Sequence, residues 1–247
     1  FNTFPHSSGI ASSASGISAL ALCIMSLEQI INPKITDKYF FMKASFLARL
    51  GSGSACRSLK GSVNLWGIHS SFNTSSNLYS IEFPNKVDDV FNTYHDAVLL
   101  VDKGIKTVSS TTGHNLMNNH PFADKRFQIA QENIDKLSTI LKNGDTNEFV
   151  KIVENEALML HGLMMTSNPS YILIKPKTLQ IIESIREFRL KNKIPVCFTL
   201  DAGANVHVLF PDKYSDEVYD FIESKLKMYC ENNSYIKDCV GFGAKQL

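Results

Sequence analysis

One run constrains the fold of this chain more than any other. Small, hydroxyl-bearing residues, Ser7-Ser8-Gly9-Ile10-Ala11-Ser12-Ser13-Ala14-Ser15-Gly16, stand directly before a helical repeat. Ile17, Leu20, Ala21, Ile24 and Leu27 follow at three- and four-residue spacing, which predicts a helix over Ser13–Leu27. A glycine- and serine-rich loop that opens a helix presents unpaired backbone N–H groups and the positive end of a dipole. Such a loop seats phosphate: glycine allows close approach, and serine hydroxyls add hydrogen bonds or a ligand for Mg²⁺. The same run also reads as a serine-rich cap on an ordinary helix. It is neither the GxxxxGK[ST] loop nor the GxGxxG fingerprint.

Three further stretches carry chemistry-bearing residues. In Arg49-Leu50-Gly51-Ser52-Gly53-Ser54-Ala55-Cys56-Arg57-Ser58, two glycines free the backbone, serines supply hydroxyls, and Arg57 offers a planar fork for carboxylate or phosphate. Taken alone it reads either as an anion site or as a turn. In Thr199-Leu200-Asp201-Ala202-Gly203-Ala204-Asn205, a carboxylate ends an apolar strand before a glycine turn, as a site residue or as a turn cap. Val108-Ser109-Ser110-Thr111-Thr112-Gly113-His114 is the third.

The first run resembles the Pro-x-x-x-Gly-Leu-Ala-Ser-Ser-Ala phosphate loop of the GHMP small-molecule kinases. Within that superfamily it most resembles the diphosphomevalonate decarboxylase family. Gly51 to Ser58 matches that family's substrate loop residue for residue, and Asp201-Ala-Gly-Ala-Asn resembles its Asp-Ala-Gly-Pro-Asn, with Ala204 in place of proline. Ser109 to Gly113 is similar to its Ser-Ser-Thr-x-Gly-Met run, and Val240-Gly-Phe-Gly243 to its terminal Gly-x-Gly strand. A long segment precedes the phosphate loop in the family, and residue 1 is Phe, so an N-terminal portion is expected to be missing from this sequence.

The resemblance implies an α+β, two-lobed GHMP kinase fold, with a ribosomal protein S5 domain 2-like N-terminal lobe and a ferredoxin-like C-terminal lobe. Residues 1–86 would be the remainder of the first lobe and 87–247 the second, with the active site in the cleft between them. It implies ATP-dependent decarboxylation of (R)-5-diphosphomevalonate to isopentenyl diphosphate, ADP, phosphate and CO₂, in isoprenoid biosynthesis. Asp201 would orient or deprotonate the C3 hydroxyl, and Arg57 would fix the substrate carboxylate. Ser52, Gly53, Ser54, Ala55, Cys56, Ser110 and Thr111 would complete the substrate site. Ser7, Ser8, Gly9, Ile10, Ala11, Ser12 and Ser13 would bind ATP, with Ser13 a candidate ligand for Mg²⁺. The rivals are a mevalonate 3-kinase or a phosphomevalonate decarboxylase on the same scaffold, and a nucleotide-binding relative without turnover.

Charge and cysteine narrow the partners. Twenty-five basic and 24 acidic residues leave a formal charge of +1, which argues against a nucleic-acid partner. Five scattered cysteines without a CxxC pair fit reduced thiols and a cytoplasmic location. No apolar run reaches 18 residues, so no membrane partner is expected. The partners expected are the two small-molecule substrates, and a homodimer is a possible assembly. No HxH or HExxH spacing occurs, so a zinc site is not expected.

Periodicity predicts helices over Asp37–Leu50, Lys86–Lys103, Ala123–Asn143, Asn147–Met165, Lys175–Lys191 and Ser215–Glu231. Phe149, Ile152, Val153, Ala157 and Leu160 mark the apolar stripe of one of them. Strands are predicted over Gly61–Ile68, Leu78–Phe83, Val196–Leu200, Val206–Phe210 and Cys239–Gly243. Asp37 and Ser215 are candidate N-caps, and Phe83-Pro-Asn-Lys86 is a candidate boundary. Trp66 and Met159, Met164 and Met165 read as core, and Arg186 to Lys191 as a solvated helix face.

Overall fold

The computed structural model describes residues 10–102, 104 and 110–244, with the backbone alone for 110–112. It forms two compact units, one of Ala11–Lys86 with residues 241–244, the other of Val87–Val240 with Ile10.

In the first unit, helices α1 (Ser12–Ile31) and α2 (Asp37–Gly51) pack through small residues. Besides Ser12 in its first turn, the buried positions of α1 are Ala14, Ser18, Ala21 and Met25, at intervals of four, three and four, and Ala44, Ser45 and Ala48 are those of α2. Small side chains let the two backbones approach closely, so the large residues are displaced to the other side. Leu20, Ile24, Leu27 and Ile31 are exposed, the last at 84%. The expected stripe through Leu20, Ile24 and Leu27 is therefore the outer face. At 20 residues and mean hydropathy 1.6, α1 is long and apolar enough to cross a membrane by length and composition, its opening serines lying within an otherwise apolar window. Thr36, not Asp37, caps α2, accepting from the Tyr39 N–H at 3.3 Å, and Asp37 is its first residue.

A 3₁₀ turn, Gly53–Arg57, follows α2. The two predicted strands beyond it shrink to a short antiparallel ladder, β1 (Asn64–Leu65) with β2 (Ile81–Glu82). Gly61 and Gly67, at φ of 81° and 108°, break the extended backbone on either side of β1. Trp66 lies outside the ladder and is 38% exposed, which corrects its reading as core.

The second unit is built on a four-stranded antiparallel sheet in the order β4-β5-β3-β6. The strands are β3 (His95–Leu99), β4 (Cys197–Thr199), β5 (Val206–Phe210) and β6 (Tyr235–Cys239). The expected helix over Lys86–Lys103 is instead a single turn, α3 (Asp89–Asn92), capped by Asp88, and then β3. Ala97 to Val101 is an unbroken buried run, and such a run has no period that separates an inner strand from a helix. β6 begins four residues earlier than predicted and puts Lys237 and Asp238 on the sheet edge, where charge discourages further pairing.

Helices α4 (Ser110–Asn115), α5 (Ala123–Asn143), α6 (Thr146–Thr166), α7 (Pro176–Asn192) and α8 (Ser215–Phe221) complete the unit. Pro176 stands in the first turn of α7, where its missing N–H costs nothing. Ser215 opens α8 without capping it. Phe198, Phe210, Ile181, Ile185, Ile222 and Leu226 are fully buried in one cluster between strands and helices. Of the three methionines read as core, Met164 is buried, Met159 half-buried and Met165 exposed. The charged run of α7 is not uniformly solvated: Arg189 holds the buried Glu154 of α6 in a two-pronged ion pair, at 2.5 and 3.1 Å.

Candidate functional site

In the first unit, the start of α1 and the end of α2 meet. Ala11 takes a left-handed conformation, φ 60° and ψ 29°, and no side chain caps the helix it opens. The Ser15 N–H is bonded to the Ala11 carbonyl at 3.1 Å, the first backbone bond of the helix, so the N–H groups of Ser13 and Ala14 precede its ladder. Ser12 is buried there, whereas Ser13 is exposed and lies 3.3 Å, oxygen to oxygen, from Ser52. The phosphate-loop and substrate-loop residues read from sequence are thus in contact at this pair. Ser7, Ser8 and Gly9 lie outside the described residues, and Ile10 is half-buried in a bend.

Glycine makes the junction possible. A Cβ at Gly51 would stand 2.7 Å from Ile17 Cγ2, and one at Gly53 would meet the Trp66 ring at 3.3 Å. The turn is also held from behind. The Cys56 carbonyl accepts from Ser45 Oγ at 2.9 Å and from Ser80 Oγ, and Ser45 Oγ accepts from the Ser80 N–H at 2.9 Å. Ala55 and Cys56 are buried, so their side chains support the turn rather than face its surface. Burial pushes the Cys56 thiol up, against the pull of Arg57 and Arg49. Ser52 and Ser54 are half-buried, and Gly53 and Arg57 are exposed. The Arg49 guanidinium donates to the Leu78 carbonyl at 2.9 Å, while that of Arg57 makes no hydrogen bond or ion pair among the described residues. Uncapped helix amides, hydroxyls and one uncommitted fork form a surface suited to phosphate and carboxylate.

In the second unit, Asp201 follows β4 on a tight turn, exposed to solvent. Its Oδ1 accepts from the Ala202 N–H at 2.8 Å, and its carbonyl accepts from the Gly203 N–H at 2.7 Å. Three side chains anchor the turn. His161 of α6 lies 3.1 Å from the Asp201 carbonyl, Thr178 of α7 donates to the Ala204 carbonyl at 2.7 Å, and Asn205 accepts from the Asp102 N–H at 3.0 Å. The Asp102 carboxyl is held below its usual range chiefly by its hydrogen bond from Lys175. Ala204 is buried, so the turn is packed without proline. Ser110 and Thr111 open α4, and a Cβ at Gly113 of that helix would be 3.8 Å from Met164 Sδ of α6. The second half of α6 therefore touches both the Asp201 turn and α4.

The sequence reading passed over His161 and Thr178. Their signal was a polar residue within a buried helical stripe. The buried positions of α6 include Val150, Glu154, Ala157, His161 and Met164, at intervals of four, three, four and three. Among the described residues no three His, Cys, Asp or Glu side chains converge to hold a metal. The oxygens at Ser13 and Ser52 are hard donors of the kind Mg²⁺ takes beside phosphate.

A family model described as diphosphomevalonate decarboxylase-like N-terminal domain matches residues 1–77. A second, described as mevalonate 5-diphosphate decarboxylase C-terminal domain, matches residues 97–243. The diphosphomevalonate decarboxylase of Ganoderma lucidum is 25% identical over 228 residues, covering 90% of this chain and 54% of that protein. The phosphomevalonate decarboxylase of Haloferax volcanii is 25% identical over 225 residues, covering 90% of this chain and 63% of that protein. The chain thus spans between half and two thirds of the length of these relatives. A solved structure of MDDEF in complex with MVAPP, AMPPCP and magnesium aligns with a TM-score of 0.79 at 28% identity, over 97% of this chain and 68% of that one.

Proposed function

Because this chain belongs to the diphosphomevalonate decarboxylase family, we propose that it supplies the catalytic residues for ATP-dependent decarboxylation of (R)-5-diphosphomevalonate in the mevalonate pathway. The products are isopentenyl diphosphate, ADP, phosphate and CO₂. The observation that carries the reading is the exposed carboxylate of Asp201 on a pinned turn; within the first unit, the Ser52–Arg57 loop set against the start of α1 supports it.

The chemical difficulty is a tertiary hydroxyl, a poor leaving group. Asp201 orients the C3 hydroxyl and takes its proton as the oxygen attacks the γ-phosphorus of ATP, and the bond to ADP breaks. The new phosphate then leaves C3 with its bonding pair. The electrons of the bond to the carboxylate become the new double bond, and CO₂ departs. Arg57 grips the carboxylate through two parallel hydrogen bonds and holds it where that collapse can occur. The first-turn amides of α1, with Ser12 and Ser13, hold the ATP phosphates, and Ser52, Ser54, Ser110 and Thr111 hold the second substrate. The Ser13 hydroxyl would hold magnesium, which would supply neutralisation of the phosphate charge. The reduced thiols and near-neutral charge support a cytoplasmic enzyme of small molecules.

The Haloferax volcanii relative favours a second reading, in which the monophosphate is the substrate. Incubating the full-length protein with ATP and mevalonate, its 5-phosphate or its 5-diphosphate, and following CO₂, separates the two. Release from the diphosphate alone is expected. In the same assay Asp201→Asn lowers turnover by ~10²–10⁴-fold, because the amide can neither accept the proton nor carry the charge. Activity within a few-fold of wild type would remove Asp201 from the mechanism.

A further inference from the structure

We propose that His161 is a positioning residue for Asp201, acting through the peptide plane that joins Asp201 to Ala202. The inference rests on the reading of Asp201 as the carboxylate that takes the C3 proton.

His161 Nε2 lies 3.1 Å from the Asp201 carbonyl oxygen. A carbonyl can only accept, so Nε2 carries the proton. The ring is 1% exposed, and desolvation pulls its pKa below the ordinary histidine value, which keeps it neutral in the Nε2–H tautomer near pH 7. The same carbonyl receives the Gly203 N–H at 2.7 Å. Two donors on one oxygen fix the orientation of the peptide unit, because that unit is planar. The N–H at the other end of the plane is that of Ala202, and it donates to Asp201 Oδ1 at 2.8 Å. Holding the carbonyl therefore aims the N–H, and the N–H aims the carboxylate. Of the two donors on this carbonyl, the Gly203 amide moves with the turn itself, whereas the imidazole is anchored on α6. Thr178 binds the Ala204 carbonyl and does not touch this plane, so its loss is a control for general loosening of the turn.

The test compares His161→Gln, His161→Leu and Thr178→Val in the full-length enzyme by steady-state kinetics. Glutamine can bring an amide N–H close to the place of Nε2, whereas leucine cannot donate. His161→Leu is expected to lower kcat for CO₂ release by roughly 10- to 100-fold with KM for both substrates changed by no more than about twofold. Gln should recover most of that loss, and Thr178→Val should shift Tm more than kcat. Equal kcat values for Leu and Gln, or a fall in Tm without a fall in kcat per folded enzyme, would overturn the proposal. If His161→Leu fails to fold, ¹⁵N spectra of histidine-labelled wild type still decide: a proton on Nδ1 rather than Nε2 at pH 7 refutes the geometry. A failed reading of the function shows elsewhere, in a wild type that releases no CO₂ or an active Asp201→Asn.

Discussion

Arg57 stands in the open on a turn whose backbone is clamped from within by Ser45 and Ser80. A rigid base fixes the point from which the side chain springs, and the planar fork itself needs no ordering on binding. Replacement by lysine keeps the charge and loses the fork, so Arg57→Lys should cut turnover about 10²-fold and Arg57→Gln more, with binding affected less. Equal, small losses in steady-state kinetics would make Arg57 a structural residue of its loop. His161 carries a second consequence, for stability. Its folded pKa lies below the unfolded value, so at pH below about 6.5 the unfolded chain binds a proton that the folded one refuses. The contribution is whole above that pH and is lost as pH falls through the folded pKa. Thermal melts at pH 5.5 and 7.5 should show a smaller acid loss for His161→Gln than for wild type.

Small or polar residues in the buried stripe decide what was legible at the scale of the elements. Ala123–Asn143 and Val206–Phe210 carried plain periods and were read to the residue. In α1 and α6 the expected helix is present and its inner face is met only in part, at Ile17 and Ala21 in one and at Ile152 and Ala157 in the other. The buried seam of α1 runs through alanine and serine while its large residues face outward, and that of α6 passes through Glu154 and His161. Periodicity weighs size and apolarity. It registers neither the close approach that alanine permits nor the partner that lets a carboxylate lie buried. For β3 the difficulty was the reverse, a stretch apolar on both faces with no period to read. Candidate loops can be picked out of a sequence because loop chemistry is local, whereas His161, 40 residues from Asp201, is joined to it only by the fold. Glu154 gives the energetic test. Glu154→Ala leaves Arg189 half-buried without its partner and should cost about 3–5 kcal/mol in chemical denaturation. The double variant Glu154→Leu/Arg189→Leu should recover much of it, because an apolar pair removes both charges together.

The whole molecule is two units with one interrupted path. The chain leaves the first unit after Lys86 and re-enters it at Gly241. There Gly61 donates to the Phe242 carbonyl at 3.2 Å, Ala244 donates to the Leu59 carbonyl at 3.2 Å, and Gly243 bridges Lys60. Gly243 has φ 94°, and a Cβ on it would stand 2.6 Å from the Leu59 carbonyl oxygen. Gly243→Ala should therefore destabilise the first unit by more than about 1 kcal/mol. In hydrogen exchange, amides 59–61 should lose protection while those of β3 and β5 keep theirs. Uniform loss across both units would show that they unfold as one. On the ribosome the same bridge sets an order of events. Val87–Val240, the bulk of the second unit, is one continuous stretch and can close as soon as it has emerged. The first must wait for its pairing partners until about 180 further residues have been added, roughly 10–40 s at ordinary elongation speed. Through that interval the apolar outer face of α1 is already exposed to solvent on an incomplete unit, the period in which a nascent-chain chaperone has most reason to bind it.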